Sequence, residues 1–89
     1  MALVTFTANL RRHVACPAAR HPGETVREVL EAYFVERPLV RSYIVDETGA
    51  ARRHVVIFVG GKQLVDVAGL SDQVEAASEI YVMQALSGG

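Results

Sequence analysis

The stretch from residue 23 to residue 36 reads GETVREVLEAYFVE and carries the clearest structural signal in the chain. Thr25 precedes Glu28 by three residues, the spacing of a capping box. In that motif the threonine hydroxyl accepts from the amide of Glu28, and the glutamate carboxylate accepts from the amide of Thr25. Pro38 ends the pattern, because the residue before a proline is pushed out of the helical region. The pattern predicts one amphipathic helix over residues 26–36. Its apolar stripe falls at intervals of three and four: Val26, Val29, Leu30, Tyr33 and Phe34.

The segments before this helix predict strands. Apolar residues alternate with polar ones over residues 4–10, which indicates an N-terminal strand with one buried face. Residues 13–21 give a weaker pattern, and Pro17 removes a ladder donor. Any strand there is therefore predicted to lie at the edge of a sheet.

The segments after the helix predict the rest of a sheet. Residues 55–59 are apolar on both faces, which favours an interior strand. Gly60-Gly61 has the composition of a two-residue hairpin turn. Between residues 68 and 74 we expect a loop with one short helical turn at Ser71 and Asp72. Strands are predicted over residues 43–45, 53–59, 62–65 and 80–86.

A lone amphipathic helix must bury its stripe, and one face of a sheet is the available platform. We therefore predict an α+β fold, with a mixed four- to five-stranded sheet and one main helix packed on one face. The first and last strands can pair side by side in the centre of the sheet. The domain is expected to span residues 1–86, with residues 87–89 as a flexible Ser-Gly-Gly tail.

Length and charge exclude several classes of protein. Eighty-nine residues allow one small domain without a deep substrate cavity. The formal net charge of −1 argues against nucleic acid as the main partner and favours docking through an apolar face. The longest apolar run, residues 55–59, is far shorter than the roughly 20 residues that span a bilayer. With no signal-peptide pattern either, we expect a cytoplasmic protein without membrane contact.

Residues typical of catalysis and metal binding are sparse. His13, His21 and His54 are too far apart in sequence to suggest a zinc site, which needs three or four ligands. Cys16 lacks an evident base and orienting group, and as the only cysteine it cannot form an intrachain disulfide. No metal site and no enzyme active site are predicted. The cluster Arg52-Arg53-His54 is either a solvated strand start or a contact for an acidic partner.

The chain ends in Gly88-Gly89. Two residues without side chains can thread a narrow channel and present the α-carboxylate of Gly89 to another enzyme. A frayed end or a cloning remnant is the alternative explanation.

Together these features resemble the MoaD/ThiS family of ubiquitin-like β-grasp sulfur carriers over nearly the full length of the chain. The segment around residues 46–49 most resembles the longer MoaD-like carriers. The residues that carry the resemblance are Gly-Glu-Thr-Val at 23–26, the strand at 53–59 with its glycine turn, Glu-Ile-Tyr-Val at 79–82, and Gly88-Gly89.

The resemblance implies a function. An E1-like partner would use ATP to adenylate the Gly89 carboxylate, sulfur would replace AMP to give a thiocarboxylate, and a sulfur-accepting synthase would take the sulfur. Such carriers serve molybdopterin, thiamine or cysteine synthesis. The resemblance implies that the carrier itself binds no cofactor, because ATP is bound and used by the activating partner. It also implies that the carrier has no catalytic side chain.

Partner contacts are expected on the last strand and the tail. If Ile80 and Val82 face the helix, the opposite face presents Tyr81, Met83 and Phe58, which suit an interface. The same residues would equally suit a completed core or a homo-oligomer contact, so a monomer or a weak homo-oligomer is expected. Two other functions stay open: a protein modifier that forms isopeptides with lysine, and a non-enzymatic β-grasp interaction module. The tail contacts are assigned to Leu86, Ser87 and Gly88, with Gly89 as the reactive residue.

Overall fold

A computed structural model describes residues 1–84 of the chain. In that range five strands and three helices surround one hydrophobic core. The elements are β1 (Ala2–Phe6), α1 (Ala8–Arg11), β2 (Ala19–His21), α2 (Val26–Glu36), α3 (Pro38–Ile44), β3 (Val55–Val59), β4 (Lys62–Gln63) and β5 (Glu79–Gln84).

The strands form one mixed sheet in the order β2-β1-β5-β3-β4. β5 pairs in parallel with β1, and every other pairing is antiparallel. The first and last strands are therefore neighbours at the centre, as predicted. β3 lies between β5 and β4, which confirms that the apolar segment 55–59 is an interior strand. The predicted α+β architecture with a mixed five-stranded sheet is confirmed.

α2 is the main helix, and its bounds match the prediction. All five residues of the apolar stripe are buried. The helix contacts β1, β2 and α3. Its central aromatic residue, Tyr33, packs on Phe6 at 5.1 Å between ring centroids and on His21 at 5.4 Å. The stripe thus joins the helix to one face of the sheet.

The capping box at the start of α2 differs from the prediction by one residue. The amide of Glu28 donates to Thr25 Oγ1 at 3.2 Å, as expected. The Glu28 carboxylate, however, accepts from the amide of Glu24 at 3.0 Å instead of from Thr25.

The segment after β4 also supplies hydrogen-bond acceptors to the first turn of α2. Val26 donates its amide to the carbonyl of Asp72, and Arg27 donates to that of Leu70. The orphan amides of the first helical turn are thus satisfied by one side chain and two carbonyls.

We expect Thr25→Ala to lower the free energy of unfolding by about 1 kcal/mol, because the amide of Glu28 would lose its acceptor at the helix start. Urea titration followed by circular dichroism measures this change. Thr25→Ser is the matched control, since it keeps the hydroxyl. Equal destabilisation by the two substitutions would contradict a capping role for Thr25.

The predicted first strand is too long. The strand ends at Phe6, and residues 8–11 form a short helix that turns Leu10 into the core. Leu10 is buried in both arrangements, so the alternation of apolar residues does not distinguish them. Thr7 is the N-cap residue of α1 but makes no side-chain cap bond, and its Oγ1 accepts instead from the amide of Gln84.

The predicted strand at residues 43–45 is wrong. α3 continues to Ile44, and Val45 forms only an isolated bridge with Ala51. Pro38 ends α2 but begins α3, because a first-turn amide needs no intrahelical partner and proline has the required φ. Val40 and Ile44, four residues apart, are both buried. The expectation of a single helix is therefore wrong, because the short helices α1 and α3 accompany α2.

The loop between β4 and β5 contains no helix at Ser71 and Asp72, contrary to expectation. Two carboxylates organise it instead. Asp72 accepts from the amides of Val65 and Asp66. Asp66 accepts from the Ser71 hydroxyl and from the amides of Gly69 and Ser71, and these hydrogen bonds lower its pKa. These side chains compete for the backbone amides that a helical turn would use.

Four predicted features of the remaining chain are close to the structure. The edge strand is confined to Ala19–His21, beyond Pro17, and it lies at the sheet edge beside β1. Gly60-Gly61 joins β3 to β4, and both glycines have positive φ. Only Lys62–Gln63 pairs as β4, so the predicted strand at 62–65 is too long, and β3 begins at Val55 instead of Arg53.

Candidate functional site

The two faces of the sheet differ in burial. Ile80 and Val82 of β5 are fully buried against the core, while Tyr81 and Met83, which alternate with them, are half-buried. Because successive side chains of a strand alternate in direction, Tyr81 and Met83 lie on the face opposite the core. Phe58 pairs with Tyr81 across β3 and β5 and shares that face. The structure thus places the three predicted contact residues of the sheet side by side.

The register extends this surface to three further residues. Val56 is opposite Met83, and Thr5 of β1 is opposite Tyr81. The same alternation puts Leu3 on this face. We call the set the outer sheet face: Leu3, Thr5, Val56, Phe58, Tyr81 and Met83, all half-buried. Leu3, Thr5 and Val56 were not predicted as contact residues. In β1 the polar Thr5 between Val4 and Phe6 marks this face, whereas residues 55–59 are apolar throughout and give no such signal.

This composition suits contact with another protein. Aromatic residues and methionine are enriched at protein interfaces. Tyr81 also carries a hydroxyl that can form hydrogen bonds at the solvated edge of an interface. Phe58 and Tyr81 are directly opposite each other on β3 and β5, so the two aromatic residues are neighbours on this face.

β5 is fixed at both ends. At its start, Thr5 Oγ1 donates to Glu79 Oε2 at 2.7 Å. Near its end, the amide of Thr7 donates to the carbonyl of Val82 at 3.1 Å, and the amide of Gln84 donates to Thr7 Oγ1. The strand thus carries the chain to one defined end of the sheet.

Residues 85–89 lie outside the described part of the chain. The roles assigned to Leu86, Ser87, Gly88 and Gly89 therefore remain predictions. So does the domain boundary at residue 86.

The groups with possible catalytic chemistry are not assembled into a site. Cys16 is only 2% exposed, and burial raises the pKa of its thiol, with a smaller opposing effect from Arg11. The neutral thiol is a poor nucleophile. His21 is buried against Tyr33, whose hydroxyl donates to the carbonyl of Pro17 at 2.7 Å. Within residues 1–84, no three histidine, cysteine or acidic side chains come together as metal ligands.

A cleft of about 270 Å³ lies beside α3, away from the outer sheet face. Pro38, Arg41, Val45, Asp46 and Arg52 are among its lining residues. Ligand pockets usually enclose about 300–1,000 Å³. The cleft is therefore small for a substrate site. Helices of membrane-spanning length and apolarity do not occur in residues 1–84.

Comparison with protein-family models finds no match, and neither does comparison with curated protein sequences. Solved structures do match. A chain of the Amycolatopsis orientalis BexX/CysO complex superposes with a TM-score of 0.83 at 20% identity, covering 100% of both chains. Mycobacterium tuberculosis CysO gives a TM-score of 0.80 at 18% identity, covering 97% of this chain and 100% of the other. Haloferax volcanii SAMP1 gives 0.77 at 20% identity, with 99% and 98% covered.

The chain has the ubiquitin-like β-grasp fold. CysO and SAMP1 are ubiquitin-like sulfur carriers of the MoaD/ThiS type, so the predicted resemblance is confirmed at the level of the fold. In this β-grasp domain the outer sheet face and the end of β5 adjoin each other. A partner that contacts Met83 would also lie close to the point where residue 85 begins.

Proposed function

We propose that this β-grasp protein is a sulfur carrier whose reactive group is the carboxylate of Gly89. The structural observation that supports the proposal is the position of β5. This central strand, fixed between β1 and β3, brings the chain to one end of the sheet five residues before Gly89. The solved structures that contain CysO share the β-grasp fold to which this strand belongs.

The proposed chemistry takes place in the active site of a partner. The Gly89 carboxylate attacks the α-phosphorus of ATP in an E1-like enzyme, which releases pyrophosphate and forms an acyl-adenylate. Hydrosulfide then attacks the acyl carbon and displaces AMP, leaving a thiocarboxylate and one proton. A sulfur-accepting synthase consumes the thiocarboxylate in a biosynthetic pathway of the molybdopterin, thiamine or cysteine type. Because the reaction uses ATP, we assign it to the cytoplasm.

The carrier positions the Gly89 carboxylate for this chemistry and supplies no catalytic side chain. A glycine pair adds no Cβ that could clash with the walls of a narrow channel. The outer sheet face, with Phe58, Tyr81 and Met83, would fix the domain on the partner, so that residues 85–89 reach the nucleotide. Holding the carboxylate in place removes much of the entropic cost of the encounter.

A protein modifier is the second candidate function. One of the matching solved structures is the small archaeal modifier protein 1 of Methanosarcina acetivorans, with a TM-score of 0.79 and 23% identity. In that case a lysine amine of a target protein attacks the activated acyl carbon in place of sulfur. The first activation step is the same for both functions.

Intact-mass spectrometry tests the proposal. The chain is incubated with an E1-like enzyme from its own source, ATP and sulfide. Exchange of oxygen for sulfur adds about 16 Da to the product. An unchanged mass, with an enzyme that converts its known carrier in parallel, would overturn the proposal. Stable lysine-linked conjugates without any thiocarboxylate would favour the modifier.

A substitution on the outer sheet face should slow activation without unfolding the domain. We expect Tyr81→Thr to reduce kcat/KM for thiocarboxylate formation by about tenfold, because an aromatic anchor at an interface is worth 1–2 kcal/mol. Threonine keeps the β propensity of the strand. Tyr43→Thr is the matched control, since Tyr43 is exposed on α3, off the sheet. Equal losses for the two variants would exclude this face as the docking surface.

A further inference from the structure

The sequence Arg-Arg-His-Val occurs twice, at residues 11–14 and 52–55. The proposed sulfur-transfer chemistry uses neither copy. The first copy begins at the last residue of α1, which follows β1, and the second runs into the first residue of β3. β1 and β3 are the two neighbours of β5.

The register brings both copies to the same end of the sheet. Phe6, at the end of β1, is opposite Val82, and Val55, at the start of β3, is opposite Gln84. Two strand spacings separate β1 from β3, which is about 10 Å. The two basic segments therefore flank the place where β5 ends and residues 85–89 begin.

Five of these basic side chains are available to a partner. Arg11, Arg12, His13, Arg53 and His54 are all exposed. Within the described residues none of the five forms an ion pair. We call these five residues the basic collar.

Arg52 is not part of the collar, because it has partners within the chain. Its Nε donates to the carbonyl of Ser42 at 2.5 Å. Its charge also helps to lower the pKa of Asp46, after the hydrogen bonds from Thr48 and Ala50. Arg52 therefore points its charge towards the turn after α3.

The acidic residues of the chain lie elsewhere. No aspartate or glutamate occurs in residues 1–23 or in residues 48–65, the two segments that contain the collar. Although the net charge is only −1, all the acidic residues lie outside the two segments that contain the collar. Near the collar, Glu36 shares a cavity with Val14, Ala15 and Arg37, and Asp46 and Glu47 lie in the turn that Arg52 faces.

We propose that the basic collar docks onto an acidic rim around the channel of the partner protein that receives residues 85–89. This inference rests on the proposed function for the identity of that partner. Complementary charge at an interface rim raises the association rate and fixes orientation. Here it would aim the tail at the channel while the outer sheet face supplies apolar contact through Met83 and Val56, which adjoin the collar.

An acidic protein fits the collar better than a nucleic acid. Nucleic-acid binding usually needs a broad basic surface that neutralises many phosphates. The collar has three arginines, in a chain whose net charge is negative. It also borders an apolar face, which is typical of a protein interface.

A defined acidic probe tests the collar without ATP, sulfur or an enzyme. A polyglutamate peptide is titrated into the isotope-labelled full chain at low ionic strength, and amide chemical shifts are followed by NMR. We expect shifts confined to residues 8–14 and 52–56 and to the residues after Gln84. High salt should abolish them, because exposed charges are screened within a Debye length.

Two double variants with the same change in net charge separate location from total charge. Arg12→Glu with Arg53→Glu reverses the collar and should weaken peptide binding by at least about fivefold. Arg20→Glu with Lys62→Glu is the matched control. These exposed residues lie at the opposite end of the sheet, because Arg20 pairs with Leu3 and Lys62 with Val59. The control should bind nearly as well as the natural chain. The NMR spectra report directly whether each variant is folded.

Three outcomes would overturn the proposal: no shifts with polyglutamate, equal weakening by both double variants, or tighter binding of a polyuridine oligonucleotide than of polyglutamate at the same collar. Collar binding without any thiocarboxylate formation would remove the sulfur-carrier function and leave the acidic docking surface. Thiocarboxylate formation without collar binding would leave the sulfur-carrier function and remove the acidic docking surface.

Discussion

Deletion of Gly89 should abolish conversion to the thiocarboxylate and leave the free energy of unfolding unchanged. Removing one residue withdraws the carboxylate by about 3.5 Å, the span of one extended residue. Reacting atoms must approach within about 3–3.5 Å, and a displacement of 1 Å can already cost about a hundredfold in rate. The deletion therefore takes the carboxylate out of reach of the nucleotide.

Two measurements check this result. Intact mass after incubation with the E1-like enzyme, ATP and sulfide should show no gain of sulfur. Urea titration should give the same unfolding midpoint as the natural chain, because every member of the described core lies between Ala2 and Val82. Gly88→Ala is the comparison variant: it retains the terminal carboxylate and adds only a Cβ, so it should slow the conversion without abolishing it. A deletion variant that still gains sulfur would show that another group is modified.

Leu30→Ala should lower the free energy of unfolding by about 2–5 kcal/mol. Leu30 is fully buried in the middle of the stripe of α2, so truncation leaves a cavity between helix and sheet. A domain of this size has a total stability of only about 4–13 kcal/mol. The variant is therefore expected to be marginally folded and to lose carrier activity with its fold.

Leu39→Ala provides the matched control for this cavity. Leu39 is 77% exposed on α3, and the same truncation there should change the free energy of unfolding by less than about 0.5 kcal/mol. Chemical denaturation of both variants makes the comparison. Similar losses in the two would contradict the burial pattern of α2 and α3.

The main helix was predictable because three independent signals agree on it. The capping spacing at Thr25, the stripe through Tyr33 and the stop at Pro38 all mark the same segment. Local signals that reinforce one another survive in the folded chain. The two central strands were predicted less exactly: only residues 4–6 of β1 alternate in sequence, and β5 was found from its run of strand-forming residues.

The short helices were not predictable from the same signals. Tyr43, Ile44 and Val45 all favour strands, yet the pair Val40 and Ile44 is buried as one helical face. In a segment this short, packing on the core outweighs intrinsic propensity. Leu10 shows a different ambiguity. A strand and a single helical turn after Phe6 both bury it, so its apolar character does not identify the element.

Part of the candidate site was likewise predictable from the sequence, and part was not. Strand alternation predicts that Tyr81, Met83 and Phe58 face away from the core if Ile80 and Val82 face the helix, and the register places the three on one face. Their contact with a partner stays a prediction. The basic collar depends instead on strand order. Residues 11–14 and 52–55 are far apart in sequence and become neighbours of β5 only through the β2-β1-β5-β3-β4 sheet.

The parallel pairing of β1 with β5 also bears on how the chain acquires its fold. Thr7 and Gln84 are 77 positions apart, yet they are hydrogen-bonded. β5 follows all other strands in the sequence, so during synthesis the sheet lacks its centre until that strand has left the ribosome. Contacts this distant form slowly, since the loop-closure entropy is lost before they form. The outer sheet face and the basic collar are brought together only when β5 is in place. An incomplete chain would thus offer the proposed partner no assembled surface, and recognition by that partner would report that folding is finished.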